Sequence, residues 1–262
     1  MKVIVCIKQV PQTGTVKINP KTNTLIREGV ESIINPFDMY AIEEAVRLKE
    51  KFGAKTFVIT MGPPQAEDAL REAISLGIDE AIHLCDKAFA GSDTWATSLV
   101  LSKAIERLRE FDLIICGKQA SDGDTAQVGP GIATHLNLAQ ATYVRKIDNI
   151  DFENKIMRLE RLLEDGVEIL EVKMPALITV VKEINQPRLP SLRGKMRAKT
   201  QPITVWTHKD LGLKEEEIGL NGSPTQVVNI FTPPPRDKGI IFEGEPEVVV
   251  EKLLAELKKH LI

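Results

Sequence analysis

Short apolar runs alternate with segments of helical periodicity through the first half of the chain. The runs typical of buried strands occupy residues 3–7, 56–60, 81–84 and 113–116. The segments between them carry apolar residues at helical spacing: Ala66, Ala69, Leu70, Ala73 and Ile74 in one, and Leu101, Ala104, Ile105 and Leu108 in another. This alternation predicts βαβ units. We therefore expect a Rossmann-like α/β fold, with helices on both faces of a mostly parallel sheet.

The second half of the chain has a different pattern. Apolar and charged residues alternate on both sides of Asp165-Gly166, which predicts a β-hairpin. Residues 184–209 are basic and contain no acidic residue, which predicts an exposed loop. Thr232-Pro-Pro-Pro235 predicts an extended arm, and an amphipathic helix is expected from about Pro246, with Val249, Leu253, Leu254, Leu257 and Leu261 on one side.

A loop of small and hydroxylated residues follows the apolar run at residues 113–116. It reads Gly-Lys-Gln-Ala-Ser-Asp-Gly-Asp-Thr-Ala-Gln-Val-Gly-Pro from residue 117 to residue 130, and a helical segment follows it. Such a loop lets backbone N–H groups approach an anion, and the helix start adds its positive dipole end. The sequence therefore predicts a nucleotide phosphate site, although the loop fits neither the Walker pattern nor the triple-glycine dinucleotide pattern.

Asp122 and Asp124 complicate this prediction because carboxylates repel phosphate. We expect them to accept hydrogen bonds from loop N–H groups or from a ribose hydroxyl. The backbone of residues 125–128 would then bind the anion.

Composition excludes several classes of function. The formal charge of −3 and the 5% aromatic content argue against nucleic-acid binding. No apolar run has the roughly 20 residues that cross a bilayer, so we expect no membrane insertion and a cytoplasmic protein. The three cysteines lack paired spacing and the four histidines are scattered, which predicts reduced thiols and no metal site.

Several separated motifs resemble those of one family. They are Lys2-Val-Ile-Val-Cys-Ile-Lys-Gln-Val-Pro11, Asn35-Pro-Phe-Asp38, Thr60-Met-Gly-Pro-Pro64, the loop described above, Glu168-x-Leu170 with Pro175 and Leu177-Ile-Thr179, and Pro187-Arg188 followed by Ser191-Leu-Arg-Gly-Lys-Met196. Together they resemble the electron-transfer flavoprotein beta subunit. The loop is most similar to that of the NADH-linked, electron-bifurcating members. Leu159 and Gln12 depart from the family pattern.

The resemblance implies which residues surround a bound nucleotide. No residue of this chain is expected to act as a catalytic acid, base or nucleophile, because the cofactor supplies the chemistry. The implied cofactor-binding residues are Cys6, Lys8, Asn35, Phe37, Asp38, Met61, Gly62, Gly117, Gln119, Asp122, Gly123, Asp124, Thr125, Ala126, Gln127 and Val128. Taken singly, Cys6 and Met61 are also ordinary core residues, and Asn35-Pro36 is ordinary turn chemistry before a helix capped by Asp38.

The resemblance also implies a domain organisation. Residues 1–183 would form the α/β domain that binds FAD, and residues 184–200 a basic partner-recognition loop. Residues 201–262 would include a C-terminal arm that packs on the alpha subunit. Leu192 matches the position that inserts into a dehydrogenase, with Arg193 and Lys195 beside it.

The implied function is electron bifurcation. FAD in this chain would accept hydride from NADH. One electron would then pass to ferredoxin or flavodoxin, and the other to an acyl-CoA-type dehydrogenase through the FAD of the alpha subunit. Two alternatives stay open: a non-bifurcating beta subunit with structural AMP in the same site, and an ATP-sensing domain of the universal-stress type. The hairpin, basic segment and arm argue against the sensor.

Overall fold

A nine-stranded sheet organises the larger part of the protein. The computed structural model describes residues 1–12, 32–228 and 239–260. Contacts divide the chain into one unit of residues 1–228 and a second of residues 229–262. The strands of the first unit are β1 (Lys2–Cys6), β2 (Gln9–Pro11), β3 (Ser32–Ile34), β4 (Lys55–Met61), β5 (Glu80–Leu84), β6 (Leu113–Gly117), β7 (Ala139–Asp151), β8 (Ile156–Leu162), β9 (Val167–Lys173), β10 (Ala176–Val180) and β11 (Thr204–Trp206).

The helices connect these strands in the order expected of βαβ units. They are α1 (Pro36–Phe52), α2 (Glu67–Leu76), α3 (Thr94–Leu108), α4 (Val128–His135) and α5 (Leu192–Thr200), and the second unit contains α6 (Pro246–Lys258). The sheet order is β11-β5-β4-β1-β6-β10-β7-β8-β9, while β2 and β3 form a separate antiparallel pair. All neighbours from β11 to β7 are parallel, and β8 and β9 are antiparallel additions. The predicted α/β class and the four predicted strands are confirmed.

The central strands are buried on both faces, which explains their continuous apolar runs. Val3 and Val5 of β1 pack in one cluster with α1 and α2, while Ile4 and Cys6 pack in the other with α3 and α4. Leu70 and Ile74 of α2 are fully buried, as their helical spacing predicts. The sheet is therefore a layer between two groups of helices.

The predicted hairpin is confirmed. Strands β8 and β9 pair from Ile156 with Lys173 to Leu162 with Val167, so the turn lies at Asp165-Gly166. Met157 and Leu159 are buried on one face, whereas Ile169 is 56% exposed on the edge strand. The hairpin extends the sheet beyond β7 and forms one of its edges.

The basic segment differs from the expected loop, because its residues 192–200 form α5. Ser191 caps this helix by accepting a hydrogen bond from the Gly194 N–H at 3.0 Å. Arg71 of α2 donates to the Ala198 carbonyl at 2.6 Å, and Ala198 is buried. The helix forms because tertiary contacts with α2 add to a good cap, and neither contact is visible in the local charge pattern.

Arg188 fixes the chain that leads into α5. Its guanidinium donates to both carboxylate oxygens of Glu43 on α1, at 2.8 and 3.0 Å, and also to Glu50. Glu43 is buried, so this ion pair lies on the inner side of the segment. The segment is thus attached to α1 as well as to α2.

In the second unit, α6 begins at Pro246, as predicted, and runs to Lys258. Leu253, Leu254 and Leu257 are each about half exposed. The expected proline-rich arm at residues 232–235 and the apolar position Leu261 lie outside the described residues. No helix in the described ranges is long and apolar enough to cross a membrane.

Candidate functional site

The sheet reverses its direction of growth between β1 and β6. The chain adds β4 and β5 on one side of β1, and then returns to place β6 on the other side. Cys6 pairs in register with Cys116 at this position, and with Ile59 of β4 on its other side. A crevice beyond the carboxyl ends of strands at such a switch point is where open α/β sheets bind ligands. The topology brings Cys6, Met61 and Gly117 to this edge.

The first turn of α1 packs directly against the end of β6. A Cβ atom on Gly117 would lie 2.3 Å from Asp38 Oδ1 and 2.7 Å from the backbone carbon of Phe37. Glycine at position 117 is therefore what allows Phe37 and Asp38 to approach the strand end. Gly62, at the end of β4, has a similar role, because its Cβ would lie 2.8 Å from that of Ala66.

Asp38 is buried at the centre of this contact. Its Oδ2 accepts a hydrogen bond from the Lys8 backbone N–H at 2.7 Å, so it joins α1 to the chain that leaves β1. Burial raises the pKa of Asp38 to about 7. The expectation that Asp38 caps α1 is wrong. The helix begins at Pro36, its cap position is Asn35, and the Asp38 carboxylate serves a more distant donor.

Asn35 holds the loop that follows β6. Its Nδ2 donates to the Gln119 carbonyl at 2.8 Å, and its Oδ1 accepts from the Ser121 N–H at 3.0 Å. The residue is only 1% exposed. The Asn35 amide thus forms hydrogen bonds through both its nitrogen and its oxygen, and both bonds fix the loop after β6.

The two aspartates of the loop are paired with side-chain donors. Asp122 accepts from the Lys8 ammonium at 2.7 and 2.8 Å, and Asp124 accepts from the Gln119 side chain. The expected partners were loop N–H groups or a ribose hydroxyl. The structure contradicts the first of these, and the second stays a prediction. The physical reason is that Lys8 and Gln119 reach the carboxylates from the two strand ends that flank the crevice. Lys8 offsets one of the two negative charges.

The backbone after Asp124 has an unusual conformation. Asp124 and Ala126 have positive φ values of 51° and 56°. Within the described residues, the N–H groups of Thr125, Ala126 and Gln127 have no hydrogen-bond acceptor, and α4 begins at Val128. Alternating backbone conformations of this kind point successive N–H groups into one concavity, and a helix start adds positive potential. The donor set therefore fits a phosphate group, and Gly123 leaves the mouth of the loop open.

The thiols at the strand ends contribute packing to this region. Cys6 and Cys116 are free and buried. A hydrogen bond with Cys6, together with burial, raises the pKa of the Cys116 thiol. Across the described ranges, no group of three or more His, Cys, Asp or Glu side chains is placed to hold a metal ion.

Two further residues at this edge were not among the predicted site residues. The Lys118 ammonium lies 5.8 Å from the centroid of the Phe37 ring and 5.3 Å from that of Tyr143. Lys118 could have been found from its place between Gly117 and Gln119. Tyr143 carries no local signal, because only the pairing of β7 with β10 brings it here.

The buried Asp38 carboxyl predicts a pH-dependent stability. Its pKa is about 7 in the folded protein against 3.8 as the ordinary value. Folding therefore favours the protonated form, and this stability is lost as pH rises from about 4 through about 7. Asp38→Asn cannot ionise. Relative to the wild type, its free energy of unfolding should increase by about 4 kcal/mol between about pH 4 and about pH 8.

Urea unfolding of both proteins across this pH range measures the difference. Asp68→Asn, a change at an exposed carboxyl, is the control and should follow the wild type. Parallel curves for Asp38→Asn and the wild type would show that Asp38 is not protonated at neutral pH.

Comparison with known proteins identifies the family. Residues 22–211 match the electron transfer flavoprotein domain. The chain is 52% identical to the electron transfer flavoprotein subunit beta of Thermoanaerobacterium thermosaccharolyticum, and 49% identical to the caffeyl-CoA reductase-Etf complex subunit CarD of Acetobacterium woodii, with 100% of both chains covered in each case. It is 46% identical to protein FixA of Azotobacter vinelandii, over 98% of this chain and 94% of FixA. The chain therefore belongs to the electron transfer flavoprotein beta subunit family, whose members act with an alpha subunit.

Proposed function

We propose that this chain is the NADH-oxidising beta subunit of an electron-bifurcating flavoprotein, with FAD in the crevice between β1 and β6. The observation that carries the proposal is the loop of residues 117–128. It is clamped by Asn35, its acids are paired, and its N–H groups at residues 125–127 are open to an anion. The similarity to a subunit named for a caffeyl-CoA reductase-Etf complex favours a CoA-ester-linked member of the family.

FAD, when bound, supplies hydride acceptance and the separation of the pair into single electrons. The residues of this chain bind and orient it. The amides of Thr125, Ala126 and Gln127 would hold its phosphates, and the start of α4 would add favourable potential. Asn35 keeps the loop over the strand ends, while the Lys8–Asp122 pair fixes its outer side. The chain thus binds and orients the cofactor. It needs no side chain that transfers a proton or acts as a nucleophile.

The partners follow from this proposal. One electron would pass to ferredoxin or flavodoxin, and the other would reach an acyl-CoA-type dehydrogenase with the alpha subunit as intermediary. We further propose that the apolar face of α6, which includes Leu253 and Leu257, packs on the alpha subunit. A universal-stress-type sensor is disfavoured because the chain belongs to a different family.

A non-bifurcating subunit with AMP is the second candidate. The loop favours it as well, because a single phosphate can occupy the same N–H groups. The two candidates differ in what the site must hold beyond the adenosine and phosphates, and so in their response to NADH.

Nucleotide content therefore distinguishes them. The heterodimer, co-expressed with its alpha subunit, should contain about two FAD and should be bleached by NADH under anaerobic conditions. Chromatography of the released nucleotides and an absorbance titration measure both properties. A heterodimer with about one FAD and about one AMP, unresponsive to NADH, would identify the structural-AMP subunit instead.

Gly117→Ala should weaken nucleotide binding in this chain. The new Cβ would lie 2.3 Å from Asp38 Oδ1 and 2.8 Å from the Asp38 backbone nitrogen, so α1 and the loop must separate. We expect nucleotide affinity at this site to fall at least about tenfold, with the alpha-subunit FAD retained. Gly166→Ala, in the turn between β8 and β9, is the matched control, because no atom lies within 4 Å of its Cβ and it lies outside the proposed site. Equal occupancy in the two variants would contradict the proposed site.

The outer face of α5 is proposed to bind the dehydrogenase. Leu192 is 79% exposed and Leu189 is 90% exposed, with Arg193 and Lys195 beside them. An exposed apolar anchor with a charged rim suits a small transient interface.

Leu192→Ala should therefore weaken electron transfer to the dehydrogenase about tenfold or more, while NADH still reduces the flavoprotein. Reduction of the dehydrogenase, followed at increasing dehydrogenase concentration, measures the loss. Val205→Ala removes an exposed apolar side chain from β11 and should have no effect. Equal losses in both variants would remove Leu192 as a specific anchor.

A further inference from the structure

Lys118 is a cation at the start of the loop of residues 117–128, which follows β6. Its backbone N–H donates to the Val180 carbonyl at 2.9 Å, which fixes the main chain where β6 ends. Its ammonium is within cation–π distance of the Phe37 and Tyr143 rings. In the described part of the chain, no carboxylate forms an ion pair with it, whereas Lys8 is paired with Asp122.

Tyr143 reaches Lys118 from a strained position on β7. Its φ is 58°, a conformation that is an outlier for a bulky residue. The pairing of β7 with β10 shifts register between Ile178 and Val180, and the Tyr143 N–H donates to the Thr179 hydroxyl at 3.1 Å. The bulge therefore places an aromatic ring beside the end of β6 at a cost in backbone energy.

The two rings hold the ammonium without neutralising it. A carboxylate partner would cancel the charge of a lysine, as Asp122 does for Lys8. An aromatic face attracts the cation through its quadrupole and leaves the net charge in place. Such an arrangement restricts the position of a long side chain and keeps its N–H donors available to an anionic ligand.

We propose that Lys118, held between the rings of Phe37 and Tyr143, binds the phosphate of the nucleotide in this site. The inference rests on the proposed nucleotide site and adds a charged side-chain ligand to its backbone N–H groups. Tyr143 acts as a positioning residue, because it touches Lys118 rather than the phosphate. The chemistry is the same for the phosphate of AMP and for the diphosphate of FAD.

Calorimetric titration of the heterodimer with AMP and with adenosine tests the inference, after removal of the nucleotide from the beta subunit. The wild type should bind AMP more tightly than adenosine. Lys118→Ala should weaken AMP binding by about ten- to a hundredfold and leave adenosine binding unchanged. Lys118→Arg should retain most of the preference for AMP because it retains the charge. Lys182→Ala removes an exposed lysine just after β10 and should behave as the wild type.

Tyr143→Gly separates positioning from stability. It removes the ring and also relieves the positive φ, so the relief of strain offsets part of the packing lost with the ring and the variant should remain folded, as its thermal midpoint shows. AMP binding should nevertheless weaken by about three- to tenfold. Tyr143→Phe keeps the ring and should match the wild type. A Tyr143→Gly variant that binds AMP normally would overturn the positioning role.

The outcomes for Lys118 and for the site are distinguishable. If Lys118→Ala keeps the full preference for AMP over adenosine, the inference fails while the nucleotide site stands. If the wild-type heterodimer, freed of nucleotide, binds neither AMP, FAD nor adenosine in this chain, the proposed site and the inference both fail.

Discussion

The close approach of α1 to the end of β6 is the contact on which the rest of the site depends. It exists because position 117 has no side chain, so that Asp38 and the backbone of Phe37 can occupy the space of a Cβ. From there, Asp38 reaches the Lys8 N–H, and Asn35, just before the helix, reaches the loop after β6. A single helix turn thereby connects the chain leaving β1 with the chain leaving β6. The contact lies beside the switch point of the sheet, where open α/β folds bind ligands.

This contact also explains how a loop with two aspartates can suit an anion. Lys8 leaves β1 close enough to pair with Asp122, and Gln119 leaves β6 close enough to donate to Asp124. Both carboxylates are therefore occupied by side-chain donors, while the N–H groups of residues 125–127 have no acceptor within the described residues. Phe37, carried by the same helix turn, supplies one of the rings beside Lys118. Positive potential from dipoles and from one cation can then act on a phosphate, and of the two loop carboxylates Asp122 is the one that a cation neutralises.

The strands and helices whose positions depend on local periodicity could be predicted from the sequence. The apolar runs at residues 3–7 and 113–116 correspond to β1 and β6 within one residue at each end, because strands buried on both faces must be continuously apolar. The hairpin and the start of α6 at Pro246 followed from turn and proline chemistry.

Contacts between distant segments could not be predicted in this way. The double hydrogen bond of Asn35 spans more than eighty residues, and Tyr143 reaches the site through a bulge that its neighbours do not signal. A run of basic residues likewise predicts exposure, but it does not reveal that α2 offers acceptors to some of them. That is why residues 192–200 were expected to be a loop and are α5.

Some basic residues of the segment from 184 to 200 attach it to the α/β domain, and this affects how the segment could bind a partner. Arg188 pairs with Glu43 and Glu50, and Arg197 donates to the Ile74 carbonyl at 2.7 Å, so both are used to fix the segment to α1 and α2. Leu189, Leu192 and Met196 consequently remain on the outer side, between 65% and 90% exposed. A flexible loop would lose conformational entropy when a partner ordered it, at about 0.5–1.5 kcal/mol for each immobilised side chain. For the proposed dehydrogenase contact, an anchor already carried on a fixed helix would avoid the backbone part of that cost, so a small apolar contact would be sufficient for transient binding.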